Sequence, residues 1–283
     1  MIITLTTDFG LDDPYVGVMK GVMLSIAPEA RLVDLSHTIP AQDVRTAAYV
    51  VYAAQPFFPD GTVHLAVIDP GVGTERLPIA VQTPRATFVG PDNGLFTYVM
   101  ADTAHWRATR LSNPEYHLAQ VSNVFHGRDI FAPAAAHLSA GVDLDQLGSP
   151  VENPVRLPLP YLVPGRHEVK GEVLHIDRFG NVVTTIGRLR WSGEDLILVP
   201  AFQANPVPPL RFPSGEAEVE VAGQNLHPIQ PTYGTVEVGK MVALVGSTGF
   251  LEVAVRQGSA ARRLDVHPGG AVVVRVHSGT AGR

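Results

Sequence analysis

Short apolar runs alternate with helical stripes along residues 1–150. The runs at 2–6, 32–35, 63–68, 79–82 and 87–89 have strand length, and 63–68 is nearly continuous, as in a strand covered on both faces. Residues 16–27 carry apolar positions at helical spacing. They follow Asp13-Pro14, which reads as a capping residue and a proline at the first helical position. A second helix is expected from an Asp43 cap through Ala54, with Val44, Ala47, Ala48 and Val51 on one face. Residues 129–140, with an alanine-rich face and Asp129 as cap, predict a third. This alternation predicts a mostly parallel sheet with helices on both sides, an α/β sandwich.

The pattern changes after a stretch containing Pro154, Pro158, Pro160 and Pro164, whose composition reads as a linker. Short strands are expected at 169–176, 182–186, 196–199, 217–221, 241–245, 251–255 and 271–276, with no helix between them and a surface loop at 200–213. Such a series predicts a small all-β barrel or sandwich. The resulting organisation is an α/β domain at 1–153, a linker at 154–166 and a β-barrel domain at 167–283.

Composition narrows the chemistry. Of 283 residues, 45% are hydrophobic and 17% charged, enough apolar material for substantial cores. The net charge of −6 disfavours nucleic acid and favours a cationic small molecule. The chain has no cysteine, which excludes disulfides, thiolate metal sites and a cysteine nucleophile. It shows neither an N-terminal signal pattern nor an apolar run of membrane-spanning length, so a cytoplasmic protein without membrane partners is expected.

Ligands of open α/β sheets bind beyond the carboxyl ends of the strands. Polar clusters follow three predicted strands: Thr7-Asp8-Phe9-Gly10, Asp69-Pro70-Gly71-Val72-Gly73-Thr74-Glu75-Arg76 and Pro91-Asp92-Asn93-Gly94. A fourth, Phe125-His126-Gly127-Arg128-Asp129, precedes a helix. Each also has a structural reading as turn or cap. The glycines at 71 and 73 lack the third glycine of a dinucleotide fingerprint. His37, His64, Asp69, His126 and His137 form no spaced metal motif, and no serine sits in a Gly-x-Ser-x-Gly elbow. In the second half, Phe179 and Asn181 flank Gly180 and offer the aromatic face and amide edge that a purine needs, or simply a hairpin. Glu252, between Leu251 and Val253, faces either a ligand amine or solvent.

Together with Tyr15-Val16-Gly17 and Lys20-Gly21, these motifs resemble the S-adenosylmethionine hydrolases (adenosine-forming), or SAM hydroxide adenosyltransferases, relatives of the fluorinases and chlorinases. The resemblance covers nearly the whole chain in order. It implies an N-terminal α/β domain, a C-terminal β-barrel, no metal or other cofactor, and a homotrimer with active sites at subunit interfaces. It implies catalytic roles for Asp69, Arg76 and His126. Asp8 matches the residue holding the ribose hydroxyls, and Phe179 and Asn181 match adenine contacts. Asp177, Ser247 and Glu252 match the methionine-facing region, with Asp13 and Tyr15 near it; Asn93 and Phe125 belong to matching motifs and are counted with the substrate-binding residues. Halogenase relatives carry a tyrosine where Asp69 stands and a non-histidine where His126 stands. They also carry tryptophan where Gln42 stands and arginine where Val255 stands.

The expected reaction is attack of water or hydroxide at C5′ of S-adenosylmethionine, giving adenosine and methionine. The sulfonium leaves as a neutral thioether, so the demand falls on the nucleophile. Asp69 can orient Arg76 or accept the water's proton; the expected arrangement has Arg76 and His126 holding the nucleophile by charge-assisted hydrogen bonds while Asp69 positions Arg76 and tunes the local charge. The alternatives are a halide adenosyltransferase and a non-catalytic adenosine- or S-adenosylmethionine-binding module.

Overall fold

A computed structural model describes residues 1–203 and 207–277. The chain divides into two compact units, Met1–Pro158 and Leu159–Arg283.

The first unit is built on six strands: β1 (Ile2–Thr7), β2 (Arg31–Ser36), β3 (Thr62–Val67), β4 (Pro78–Gln82), β5 (Ala86–Pro91) and β6 (Arg107–Arg110), in the order β2-β1-β3-β5-β4-β6. β1 runs parallel to β2 and β3, and β3 parallel to β5. β4 is antiparallel to both β5 and β6. The mostly parallel α/β sandwich is therefore present, with β4 reversed inside it. β6 was not expected, because Arg107 and Arg110 interrupt its apolar pattern where the strand is exposed.

The helices are α1 (Tyr15–Ile26), α2 (Val44–Ala54), α3 (Thr97–Ala101) and α4 (Ala132–Ser139). Ile3 and Leu5 of β1 share one core with Val63, Leu65 and Val67 of β3, Met19 and Met23 of α1, and the alanines of α4. Each large apolar side chain removed from water there contributes about 1.5–3 kcal/mol. α2 packs against β1 and β3, and α3 against α2. Of the intervening polar positions of β1 and β3, Thr4 and His64 meet, Thr4 Oγ1 lying 2.8 Å from His64 Nδ1.

Two helix starts differ from expectation. α1 begins at Tyr15 with Pro14 itself at the cap and no side-chain capping bond, so Asp13 lies outside the helix. The helix expected at 129–140 begins instead with a π-helical turn, Gly127–Phe131, and Asp129 sits inside that turn rather than capping it. Asp43 does cap α2, accepting from Thr46 N at 2.9 Å and from Thr46 Oγ1 at 2.6 Å. The proline-rich stretch is strapped down: Val155 N donates to Asp92 Oδ1 and Leu157 N to Thr97 Oγ1, each at 2.8 Å.

Among the described residues the second unit is all-β apart from two single 3-10 turns and a helix at Ala260–Leu264, too short to leave a periodic stripe and absent from the expectation. Its large sheet runs, in spatial order, Gln224–Leu226, Ala217–Val221, Ala271–Val276, Glu168–Ile176, Val182–Thr184, Leu251–Val255, Met241–Val245 and Ile229–Gln230. Residues from the two ends of this series pack against one another, so the sheet curls into a nearly closed barrel around Val173, Val182, Val219, Leu251 and Val253. A three-stranded sheet of Leu189–Ser192, Asp195–Leu198 and Leu210–Pro213 completes the unit. The loop expected at 200–213 thus ends in a strand, and its residues 204–206 lie outside the described residues.

Candidate functional site

The sheet order creates the site. Parallel strands β1, β3 and β5 all end on one rim, and β2 and β3 flank β1 on opposite sides, the topological switch at which such sheets bind ligands. Antiparallel β4 begins on the same rim, its Pro78 paired with Pro91 at the end of β5. The loop from β3 to β4 therefore starts and finishes on that rim, and Asp69 and Arg76 stand at its two ends.

Successive turns fold this loop back on itself. Val72 N donates to Asp69 O at 3.2 Å, Thr74 N to Gly71 O at 3.1 Å, and Thr74 Oγ1 to Gly71 O at 2.7 Å. Arg76 then grips Asp69 with both edges of its fork: Nε donates to Oδ1 at 2.8 Å, and Nη2 donates to Oδ2. Their side chains are only 8% and 6% exposed, so the pair is shielded from competing water. Arg76 Nη2 also lies 2.8 Å from His126 Nδ1. The guanidinium stacks over Phe131, its Cζ 5.2 Å from the ring centroid. Arg76 Nη1 is buried and finds no partner among the described residues.

The contact with Arg76 assigns the histidine's protons. Arginine has no acceptor, so Nδ1 must accept and the neutral ring carries its hydrogen on Nε2. Burial holds the pKa of His126 below its ordinary value, and the Arg76 cation adds to the effect; Asp69 and Asp129 act in the opposite direction. The trio thus presents donors at Arg76 Nη1 and His126 Nε2, with the Asp69 carboxylate beside them.

Around the trio, Asp8 accepts from the backbone N of Gln42 at 2.8 Å through Oδ2. Phe9, Tyr15 and Phe125 meet edge to face, with centroids 5.3–6.1 Å apart. Tyr15 keeps 46% of its surface exposed. Asn93 is drawn inward: its amide donates to Ile68 O at 2.9 Å and accepts from Leu95 N at 3.2 Å, tying the end of β3 to the turn after β5. Asp13 is exposed in the loop before α1.

In the second unit, Asp177 organises the hairpin. Its Oδ1 accepts from Phe179 N at 2.9 Å and Asn181 N at 2.8 Å, and its Oδ2 from Asn181 Nδ2 at 2.9 Å. Gly180 is required there: φ is +82°, and a Cβ would lie 2.0 Å from Ser259 Oγ. Phe179 is left 77% exposed on a cleft of about 830 Å³ that Tyr233, Arg256 and Ser259 also line. Such volume suits a nucleoside-sized ligand. Tyr233 Oη donates to buried Glu252. Burial pushes the Glu252 carboxyl up, the bond from Tyr233 opposes this, and nearby Asp177 adds to the rise. Ser247 is exposed in the turn preceding Leu251–Val255. No group of three or more potential metal ligands occurs among the described residues.

Over residues 3–148 the sequence matches the SAM hydroxide adenosyltransferase N-terminal domain, and over 171–273 the corresponding C-terminal domain. The chain belongs to the SAM hydroxide adenosyltransferase family. Among its relatives, the (R)-S-adenosyl-L-methionine hydrolase of Thermus thermophilus is 44% identical over 93% of this chain and 95% of its own. That of Salinispora tropica is 40% identical over 94% and 95%. A fluorinase of Nocardia brasiliensis is more distant, at 29% identity over 97% of each chain. The solved structure of a conserved Thermotoga maritima protein superposes with a TM-score of 0.83 at 35% identity, covering 97% of this chain and 100% of that one.

Within this family frame, several contributors had escaped the sequence. Phe131 reads as an ordinary core aromatic, yet it lies under Arg76. Asp129 reads as a cap, yet it is fully buried and accepts from Ser122 N and Arg128, pinning the segment that leads to His126. Gln42 serves Asp8 through its backbone, which residue identity does not reveal. Only the extra residue of the π-helical turn hints at the first two, and it is invisible without coordinates.

Proposed function

We propose that this chain hydrolyses S-adenosylmethionine to adenosine and methionine by attack of water or hydroxide at C5′. Oxygen bonds to C5′ as the C5′–S bond breaks; the sulfonium sulfur takes the bonding pair and leaves as the neutral thioether of methionine, and one proton is released. No acid or Lewis acid is needed for that leaving group, so the reaction is read as metal-independent. The observation that carries the proposal is the trio: a guanidinium locked on Asp69, hydrogen-bonded to His126 and retaining a buried, unengaged Nη1. Donors fixed in a site shielded from water stabilise an attacking oxyanion without reorganisation. Asp69 orients Arg76 and balances its charge.

Asp8 is assigned to the ribose hydroxyls, with Asn93, Phe125, Asp13 and Tyr15 beside the substrate. Phe179 and Asn181 are assigned to adenine, and Asp177, Ser247 and Glu252 to the cationic methionine end. The trio lies in the first unit and the nucleoside-sized cleft in the second, so each alone is an incomplete site. A homotrimer in which one subunit's first unit meets its neighbour's second unit would complete it, and sedimentation of the pure protein tests this. A cytoplasmic location fits the cysteine-free chain.

The (R) descriptor in the relatives' names extends the proposal to the (R)-sulfonium epimer. Chromatography after incubating pure protein with separated (R) and (S) epimers in halide-free buffer should show adenosine, faster from (R). Absence of adenosine from both, with binding retained, would leave a binding module. A 5′-halo-adenosine formed on adding chloride or fluoride would make it a halide adenosyltransferase, an outcome that Asp69 and His126 disfavour.

A further inference from the structure

Phe131 is fully buried and stands five residues after His126, across the π-helical turn closed by Ala132 N donating to Gly127 O. In an α-helix, side chains five residues apart diverge by about 140°. The widened turn reduces that divergence, so the imidazole of His126 and the ring of Phe131 both reach Arg76: one at 2.8 Å by hydrogen bond, the other at 5.2 Å by its face. Asp129 anchors the same turn from inside. The guanidinium is thus held at its edge by Asp69, at Nη2 by His126 and on one face by an aromatic ring, and among the described residues only its Nη1 finds no partner.

We propose that Phe131 is a positioning residue for the hydrolysis, its π face clamping Arg76 so that Nη1 is presented to the attacking oxygen. An aliphatic side chain would fill the same core volume but would offer no negatively polarised face to the cation. The inference rests on the reading of Arg76 as the holder of that oxygen.

The test replaces Phe131 in the full chain with a graded series of fluorinated phenylalanines, which keep the ring's shape while draining its face of electron density. Turnover and the His126 titration, by nuclear magnetic resonance, are read on the same samples. Stepwise loss of kcat, reaching several-fold for the trifluorinated ring with KM within about twofold, is expected. The His126 pKa should climb stepwise as the Arg76 cation loosens beside it. Phe131→Leu should lose at least about tenfold in kcat, whereas Phe88→Leu, at another fully buried ring, should keep its turnover. A flat series in both readouts, or an equal loss in Phe88→Leu, overturns the clamp. A parent chain without turnover would fail the proposed function, and the His126 titration would still decide the clamp.

Discussion

Gly73 packs its α-carbon against the carbonyl of Asn123, so closely that a Cβ at residue 73 would lie 2.7 Å from that oxygen. The first residue belongs to the loop carrying Asp69 and Arg76, the second to the segment leading into His126. Gly73 also has φ of +77°, a conformation costly for other residues. Gly73→Ala should therefore separate the two halves of the trio. We expect a destabilisation of about 1–3 kcal/mol and a larger fall in kcat than in affinity. Denaturant unfolding and steady-state kinetics measure both; an alanine variant with parental kcat would uncouple the loop contact from catalysis.

Arg76→Lys keeps the charge but loses the fork that binds Asp69 and the nitrogen that reaches His126. Loss of a preorganised donor of this kind lowers turnover roughly a hundredfold or more. KM should change little if, as proposed, the lost contacts act on the nucleophile. Rapid product assays decide this, and a lysine variant within a few-fold of the parent would count against the hydroxide role.

Acid should switch the enzyme off through His126. Its neutral form accepts from Arg76, and burial and that cation hold its pKa below the ordinary 6.5. Turnover should fall in acid with its midpoint below 6.5. A pH profile of kcat whose acid limb has its midpoint at or above 6.5 would contradict the assignment.

His64 gives a separate pH effect, on stability. Burial against Phe88 lowers its pKa from 6.5 to about 4. The unfolded chain then takes up the proton more readily than the folded one. The contribution is complete above pH 6.5 and is lost as pH falls from 6.5 to about 4. Its size is about 3 kcal/mol. Urea melts at pH 7 and pH 4.5 should show the loss in the parent and a shallower one in His64→Gln.

Phe179 separates binding from folding. Because 77% of it is exposed, Phe179→Ala should leave the melting temperature nearly unchanged. If it stacks on adenine, affinity for adenosine should drop by about 1–3 kcal/mol. Calorimetric titration with unchanged affinity would remove Phe179 from the adenine site.

The residues alone determined the α/β-then-β plan, because its signal is local. Continuous apolar runs such as 63–68, the Asp43 cap and the alternating strand at 217–221 each declare themselves within a few positions. The ordered motifs likewise carried the family and named Asp69, Arg76 and His126. Tertiary structure alone decided how those side chains meet. Reversal of β4 brings Arg76 back to the rim of Asp69, and a π-helical turn aims His126 and Phe131 at the same guanidinium. Strand direction and a single inserted helical residue depend on contacts between segments some 50 positions apart, such as Arg76 and His126, and no local pattern of hydrophobic and polar residues encodes them.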